Sequence, residues 1–263
     1  MQLVTILTDF GLRDAYVAQM KGRILSQCPG CRIIDLSHGV ERHNIVEGAF
    51  LLESSVGHFP KKTIHVGVVD PGVGSERLPI IVVCKSGTLV GPDNGLLSLA
   101  AEKLGFDQAY RIRESGMRAN IVSSTFHGRD IFAHTAAKLA QGTLAKSLGP
   151  SVRSIVRLKH SRPQVSEKGM VCSVLYVDGF GNVITNVRQS DVPTWLLSTR
   201  ALLVQVKGKS KRARFGRTYS DVKLNQLLVL LGSQGYIEVA AREHSAGDLL
   251  RVSPRDTLVI RPS

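Results

Sequence analysis

Four short polar stretches carry most of the residues that could do chemistry: Thr8-Asp9-Phe10-Gly11, Asp70-Pro71-Gly72-Val73-Gly74-Ser75-Glu76-Arg77, Gly91-Pro92-Asp93-Asn94-Gly95 and Ser124-Thr125-Phe126-His127-Gly128-Arg129-Asp130. Asp9 and Asp70 each follow an apolar run. Both carboxylates therefore stand at strand ends, where parallel α/β sheets bind ligands. Taken singly, each aspartate is also what a helix or turn cap requires; several such loops in one half of the chain argue for a shared site. His127, beside Gly128 and just before a helix opened by Asp130, changes charge near neutral pH and can hold or accept a proton. Gly72-x-Gly74 meets neither phosphate-binding template: no G-x-x-x-x-G-K-[ST] is present, and Arg77 stands where a third glycine would be needed. A loop opening on aspartate suits hydroxyls or a cationic group better than a phosphate, which disfavours ATP and NAD. There is no G-x-S-x-G elbow. His38, His43, His58, His65, His134, His160 and His244 lack metal-ligand spacing and are left structural.

The second half offers Asp178-Gly179-Phe180-Gly181-Asn182, with Asn186 nearby. These residues suit a tight β-turn. Phe180 and the Asn182 amide are also a stacking face and a bidentate hydrogen-bonding partner, which a purine site needs. Gly232-Ser233-Gln234-Gly235-Tyr236-Ile237-Glu238-Val239 repeats the mix.

The elements that must position these groups follow from hydrophobic periodicity. Leu3 to Leu7, Arg32 to Leu36, Thr63 to Val69 and Ile80 to Val83 read as strands. Asp14 to Gln27, Asn44 to Val56, a segment after Gly95, and Asp130 to Gln141 (closed by Gly142) read as helices. Strands alternating with helices predict a mainly parallel, buried sheet for residues 1–155. Residues 156–169 are polar and basic and read as a linker. Residues 170–263 hold short strand-like runs at 171–177, 183–187, 202–206, 227–231, 236–240 and 257–260 without a good amphipathic helix. They predict a smaller antiparallel β-barrel or sandwich.

The 263 residues carry 34 Lys+Arg against 21 Asp+Glu, a net charge of +13, which raises a nucleic-acid hypothesis. Its strongest local support is Lys207, Lys209, Lys211, Arg212, Arg214 and Arg217, a run with one aromatic, Phe215, and no RNA-recognition or zinc-finger signature. Such runs are mostly solvated loops, and the charge divides almost evenly between the two halves. No apolar run approaches the roughly 18 residues of a membrane span. Met1 to Asp9 reads as a strand and not a signal peptide. Of four cysteines, Cys84 and Cys172 lie in apolar stretches as buried thiols. Cys28-Pro29-Gly30-Cys31 has redox or metal spacing but no second ligand pair, so a loop with two incidental thiols is expected. This usage points to a reducing compartment.

The polar stretches, taken in order with His65-Val66-Gly67-Val68-Val69 and Asp178 to Asn182, resemble the S-adenosylmethionine hydrolase (hydroxide adenosyltransferase) family, related to fluorinases and chlorinases. The resemblance implies an N-terminal α/β domain followed by a C-terminal β-barrel. It implies displacement at C5′ of S-adenosyl-L-methionine by water or hydroxide, giving adenosine and L-methionine with no cofactor or metal. It also implies homotrimers with sites between one subunit's N-terminal domain and a neighbour's C-terminal domain; the cytoplasmic location expected rests on the cysteine usage. Asp70, Arg77 and His127 match the family's catalytic set, which the halogenating relatives lack; this favours water over halide. Asp70 and His127 would orient and deprotonate the water while Arg77 stabilises hydroxide or holds the carboxylate. By the same matching Asp9 would bind the ribose hydroxyls, beside Phe10, and Asp14 the methionine amine. Phe180 and Asn182 would face the adenosyl group, with Ser233, Tyr236, Glu238 and Val239 completing the pocket. A halide-using adenosyl transferase is the alternative enzyme, and a basic RNA-binding protein the alternative class.

Overall fold

The computed structural model describes residues 2–113 and 123–263 and divides into two compact units, Met1–Lys159 and His160–Ser263. In the first unit β1 (Leu3–Thr8), α1 (Tyr16–Gln27), β2 (Arg32–Ser37), α2 (Ile45–Val56) and β3 (Thr63–Val68) alternate as their periodicity requires. They are followed by β4 (Pro79–Cys84), β5 (Gly87–Pro92), α3 (Ser98–Leu104) and β6 (Phe106–Arg111). A π-helical segment, Gly128–Ala133, then runs into α4 (His134–Ala140), and β7 (Ser151–Val152) ends the sheet. The strand order is β2-β1-β3-β5-β4-β6-β7. The first four strands are parallel, and β4, β6 and β7 extend the sheet antiparallel.

β3 is buried along its whole length, as a central strand between two helical layers should be. Ile64, Val66 and Val68 pack with Met20, Ile24 and Phe132 on one face. A side chain at Gly67, on the opposite face, would meet Leu52, Leu96 and Leu97. Asn44 caps α2, its Oδ1 accepting the Glu47 N–H at 3.2 Å.

His65 faces Thr5 across the β1–β3 pairing, with its Nδ1 2.8 Å from Thr5 Oγ1, and is 1% exposed. Burial lowers its pKa to about 4, and burial with Lys138 and Arg23 nearby lowers that of His134 to about 4 as well. A depressed histidine pKa means that the unfolded chain binds a proton the folded chain refuses. Stability is therefore fully present above the unfolded value of about 6.5 and falls as pH drops toward 4, by up to about 3 kcal/mol for His65. Urea-unfolding midpoints should decline steadily between pH 7 and 4.5, with a shallower slope in His65→Gln. A flat profile would contradict a buried neutral imidazole.

The second unit contains β8 (Gln164–Ser166), β9 (Gly169–Val177), β10 (Val183–Arg188), β11 (Ala201–Val206), β12 (Lys209–Phe215), β13 (Leu227–Leu231), β14 (Tyr236–Ala241) and β15 (Thr257–Pro262), with short helices at Thr194–Ser198 and Ala246–Leu250. The order β10-β14-β13-β12-β11-β15-β9, closed by β9–β10, makes a seven-stranded barrel with β8 added to β9. Alternate residues such as Met170, Cys172 and Val174 of β9, Val204 of β11 and Ile237 and Val239 of β14 fill its interior. All barrel pairings are antiparallel except β12–β13.

Several local expectations change. Lys209 to Arg214 of the basic run lie on strand β12, in register with β11 from Ala201↔Arg214 to Val206↔Lys209, with Lys207 and Arg217 just outside it; Ala213 turns into the barrel and the exposed positions carry the charges. Cys28 and Cys31 are joined in a disulfide, not left as thiols: the Cys31 N–H bonds the Cys28 carbonyl and their Cα atoms lie 5.4 Å apart. Cys84 and Cys172 are free and buried, which pushes both pKa values up to about 12. Within 156–169, the Val156 and Leu158 N–H groups bond Asp93 and Ser98, and β8 pairs with β9. Among the described residues no helix is long and apolar enough to cross a membrane. Met1 lies outside the described residues.

Candidate active site

Parallel pairing of Thr8 with Val68 places the ends of β1 and β3 side by side, so Asp9 and Asp70 emerge at one sheet edge. Asp9 does not cap α1, which has no side-chain cap, and Asp70 is followed by a loop into β4. Asp9 Oδ2 accepts the His43 N–H at 2.9 Å, tying the turn before α2 to the end of β1. Asp70 is gripped by Arg77 from the same loop, with Nε–Oδ1 at 3.0 Å and Nη2–Oδ2 at 2.5 Å. The two side chains are only 6% and 9% exposed. This is the planar fork-to-carboxylate match that only arginine provides.

The same Nη2 lies 2.7 Å from His127 Nδ1. Arginine has no acceptor, so the imidazole nitrogen accepts and the ring proton sits on Nε2. Phe132 lies under the guanidinium, 5.4 Å from its carbon to the ring centroid. Two backbone features bring His127 to Arg77. Gly74, at φ +79°, sits so close to the Ser124 carbonyl that a Cβ would be 2.9 Å from its oxygen, so the two loops can meet only at a glycine. Beyond His127 the chain enters the π-helical segment where a plain α-helix is expected, a feature frequent at functional sites. Asp130 secures the segment: its Oδ2 accepts the Ser123 N–H at 2.9 Å, and Arg129 pairs with its carboxylate while reaching Gln19. Burial works against the charged form of Asp130, but these bonds hold its carboxyl below the usual range.

A cavity of about 550 Å³ opens at this edge. Asp9, Phe10, Asp14, Asp70 and His127 all line it, with Arg77 behind Asp70. Residue types alone missed several wall residues: Tyr16, Phe126, Arg42 and His43, the last left structural on spacing. Phe10, Tyr16 and Phe126 form an aromatic cluster with centroids 5.2–5.9 Å apart. Tyr16 sits at the start of a helix whose apolar pattern points elsewhere, so no sequence signal marked it. Phe126 lay within a quoted motif and was overshadowed by His127.

The remaining expected residues lie in the barrel unit. Asp178 Oδ1 accepts the N–H groups of Phe180 and Asn182, both at 2.9 Å, closing the β9–β10 turn; Phe180 is 86% exposed at its tip. Asn182 is buried and donates to Asp178 Oδ2 at 3.0 Å. Glu238 accepts from the Tyr219 hydroxyl at 2.9 Å, and Asn182 bonds the same hydroxyl. Burial raises the Glu238 pKa, only partly offset by Tyr219; burial and that carboxylate push Tyr219 up to about 12. Tyr236 is buried with Arg188 over its ring, and Ser233 is exposed. Val239 is fully buried in the barrel interior, so only its main chain is available to a ligand.

The models of the SAM hydroxide adenosyltransferase N-terminal and C-terminal domains match residues 4–149 and 172–259. The chain belongs to this family. Among its relatives, the (R)-S-adenosyl-L-methionine hydrolase of Methanocaldococcus jannaschii is 34% identical, the match covering 99% of this chain and 96% of that protein. The enzyme of the same name from Salinispora arenicola is 38% identical over 97% and 96%. A fluorinase from Actinoplanes sp. is more distant, at 26% over 72% and 73%. The crystal structure of a conserved Thermotoga maritima protein is similar to this chain with a TM-score of 0.91 at 34% identity, covering 98% of this chain and 99% of that one.

Proposed function

We propose that this chain hydrolyses S-adenosyl-L-methionine to adenosine and L-methionine, with water or hydroxide attacking C5′ in line with the departing sulfur. The observation that carries the reading is one guanidinium holding Asp70 by two bonds and His127 by a third at a cavity that also contains Asp9 and Asp14.

The sulfonium is an excellent leaving group because its departure neutralises a charge, so no cofactor enters the proposal. The difficulty is a weak nucleophile that must be held in line. Carboxylate oxygens accept more than one hydrogen bond, so Asp70 can take a proton from the water while paired with Arg77. His127, protonated at Nε2, serves as donor to the nucleophile's oxygen. A positioned base contributes about 10²–10⁴-fold, and near-attack geometry several kcal/mol more. Asp9 is proposed to bind the ribose hydroxyls beside Phe10, and Asp14 the methionine amine. Phe180, Asn182, Ser233, Tyr236, Glu238 and the main chain of Val239 are proposed to meet the adenosyl group.

A homotrimer is also proposed; the exposed Phe180 ring supports it as a surface that another would cover. A cytoplasmic location is supported by two buried thiols, with the Cys28–Cys31 disulfide standing against it.

Incubation with S-adenosyl-L-methionine, with and without chloride, followed by nucleoside chromatography, tests the reaction. Adenosine under both conditions is expected. A 5′-chlorinated nucleoside would favour the halide-using alternative, and unconsumed substrate would overturn the proposal.

A further inference from the structure

The barrel is open along one stretch of one strand. β11 pairs with β12 from Lys209 to Arg214, but β13 joins the other side of β12 only at Ala213, opposite Leu227. The chain before β13 is drawn away from β12. The Asn225 N–H bonds the Arg242 carbonyl at 2.9 Å, and the Arg242 N–H bonds that of Gln226 at 3.3 Å. Among the described residues, no strand pairs with this other edge of Lys209–Arg212. The hairpin that presents the edge is firmly held. Lys207 and Gly208 take φ +48° and +76°, both positive as a two-residue type I′ turn requires, and Lys207 Nζ lies 2.7 Å from Asp256 Oδ2. All four residues of the edge are exposed, and the side chains of Lys209, Lys211 and Arg212 have no hydrogen bond or ion pair to any described residue. A cavity of about 460 Å³ runs beside the edge, lined by Lys211, Arg212, Arg214 and Asn225, with Leu227 and Leu249 as an apolar wall. No aspartate, glutamate or aromatic is among its described lining residues.

An open strand edge offers main-chain N–H and C=O groups together, and an extended peptide is the partner that returns both. A phosphodiester chain offers acceptors alone, and its bases need stacking rings that the described lining residues do not supply. Strand alternation puts Lys209 and Lys211 on one face of the edge and Arg212 on the other, so an incoming strand meets cations on both faces and is matched by carboxylates. The same charges repel a second copy of β12. We propose that the open edge of β12 is a docking site for an extended acidic segment of another protein, which adds to the barrel sheet as one more strand beside Lys209–Arg212. This docking is independent of the proposed hydrolysis.

Fluorescence anisotropy of the full chain with a labelled nine-residue peptide of repeating Glu-Glu-Thr tests the proposal. The wild type should bind it about tenfold or more tightly than repeating Glu-Glu-Pro, which keeps every charge but loses a main-chain donor at each third residue. Lys211→Glu with Arg212→Glu should weaken binding of the first peptide by about tenfold or more. Lys61→Glu with Lys146→Glu, at two exposed lysines of the first unit, changes the net charge equally and should weaken it by less than about twofold. No binding, equal binding of the proline peptide, or equal losses in the two double variants overturns the proposal, because the net charge of +13 then accounts for any attraction. Tighter binding of a nine-nucleotide RNA that is lost in the Lys211→Glu and Arg212→Glu variant overturns it in favour of nucleic acid.

Discussion

Arg77→Ala should lower turnover of S-adenosyl-L-methionine by about 10²–10⁴-fold while adenosine still binds. The size of the effect follows from three bonds leaving one guanidinium. Asp70, its side chain 6% exposed, would lose both of its bonds to Arg77, and His127 Nδ1 would lose the donor that sets its tautomer. A carboxylate stripped of its partner in such a place costs about 3–5 kcal/mol, so the variant should also melt earlier. Lysine separates the two consequences. Arg77→Lys keeps the positive charge and much of the stability, but one ammonium cannot reproduce a bidentate grip on Asp70 together with a bond to His127. Its melting temperature should recover more fully than its kcat. Turnover by Arg77→Ala within about threefold of wild type would remove this set from the mechanism. Equal recovery of both properties in Arg77→Lys would reduce Arg77 to a structural ion pair.

The second large effect lies beneath the site. At Gly91, on β5, a Cβ would stand 2.3 Å from the backbone carbonyl oxygen of Gly67 on β3. No rotamer change relieves a clash with main chain, so Gly91→Ala must push β3 and β5 apart in the middle of the sheet. Overpacking on this scale costs about 3 kcal/mol, or a melting shift of roughly 6–12 °C for a unit of this size. Gly67 lies three residues before Asp70, so the displaced strand carries the carboxylate with it, and kcat should fall together with stability. Gly22→Ala is the matched control. Gly22 lies inside α1 with nothing within 4 Å of a new Cβ, and alanine there should stabilise by about 0.5–1 kcal/mol. Equal melting temperatures for Gly91→Ala and wild type would mean that the strands are not packed this closely.

Much of the architecture was legible before folding because it is written in local periodicity. Val17, Met20 and Ile24 share one face of α1, and they are that helix's buried residues. Alternation along β9 and β14 announced the barrel strands, and their inward residues form its core. β12 escaped because its alternation is carried mainly by Ala213 and Phe215 among basic neighbours, too weak an apolar signal to compete with the charges. The π-helical segment escaped because its pattern is nearly that of an α-helix. The disulfide escaped because C-x-x-C spacing alone does not tell a bonded pair from two separate thiols.

By itself, the sequence determined which side chains are proposed to carry the chemistry and that they stand at strand ends or in turns, since such motifs are contiguous and their spacing survives without a fold. The tertiary structure alone decided how they combine. Asp70 and Arg77 share a loop, but His127 is 50 residues beyond Arg77 and reaches it through the loop contact at Gly74. Asp9 and Asp70 are neighbours because β1 and β3 pair in one register, and Arg42 reaches the cavity because a turn after β2 is fastened to Asp9. These are contacts between distant segments, set by sheet pairing and close packing. No local pattern encodes them, because their free energy appears only when the segments meet.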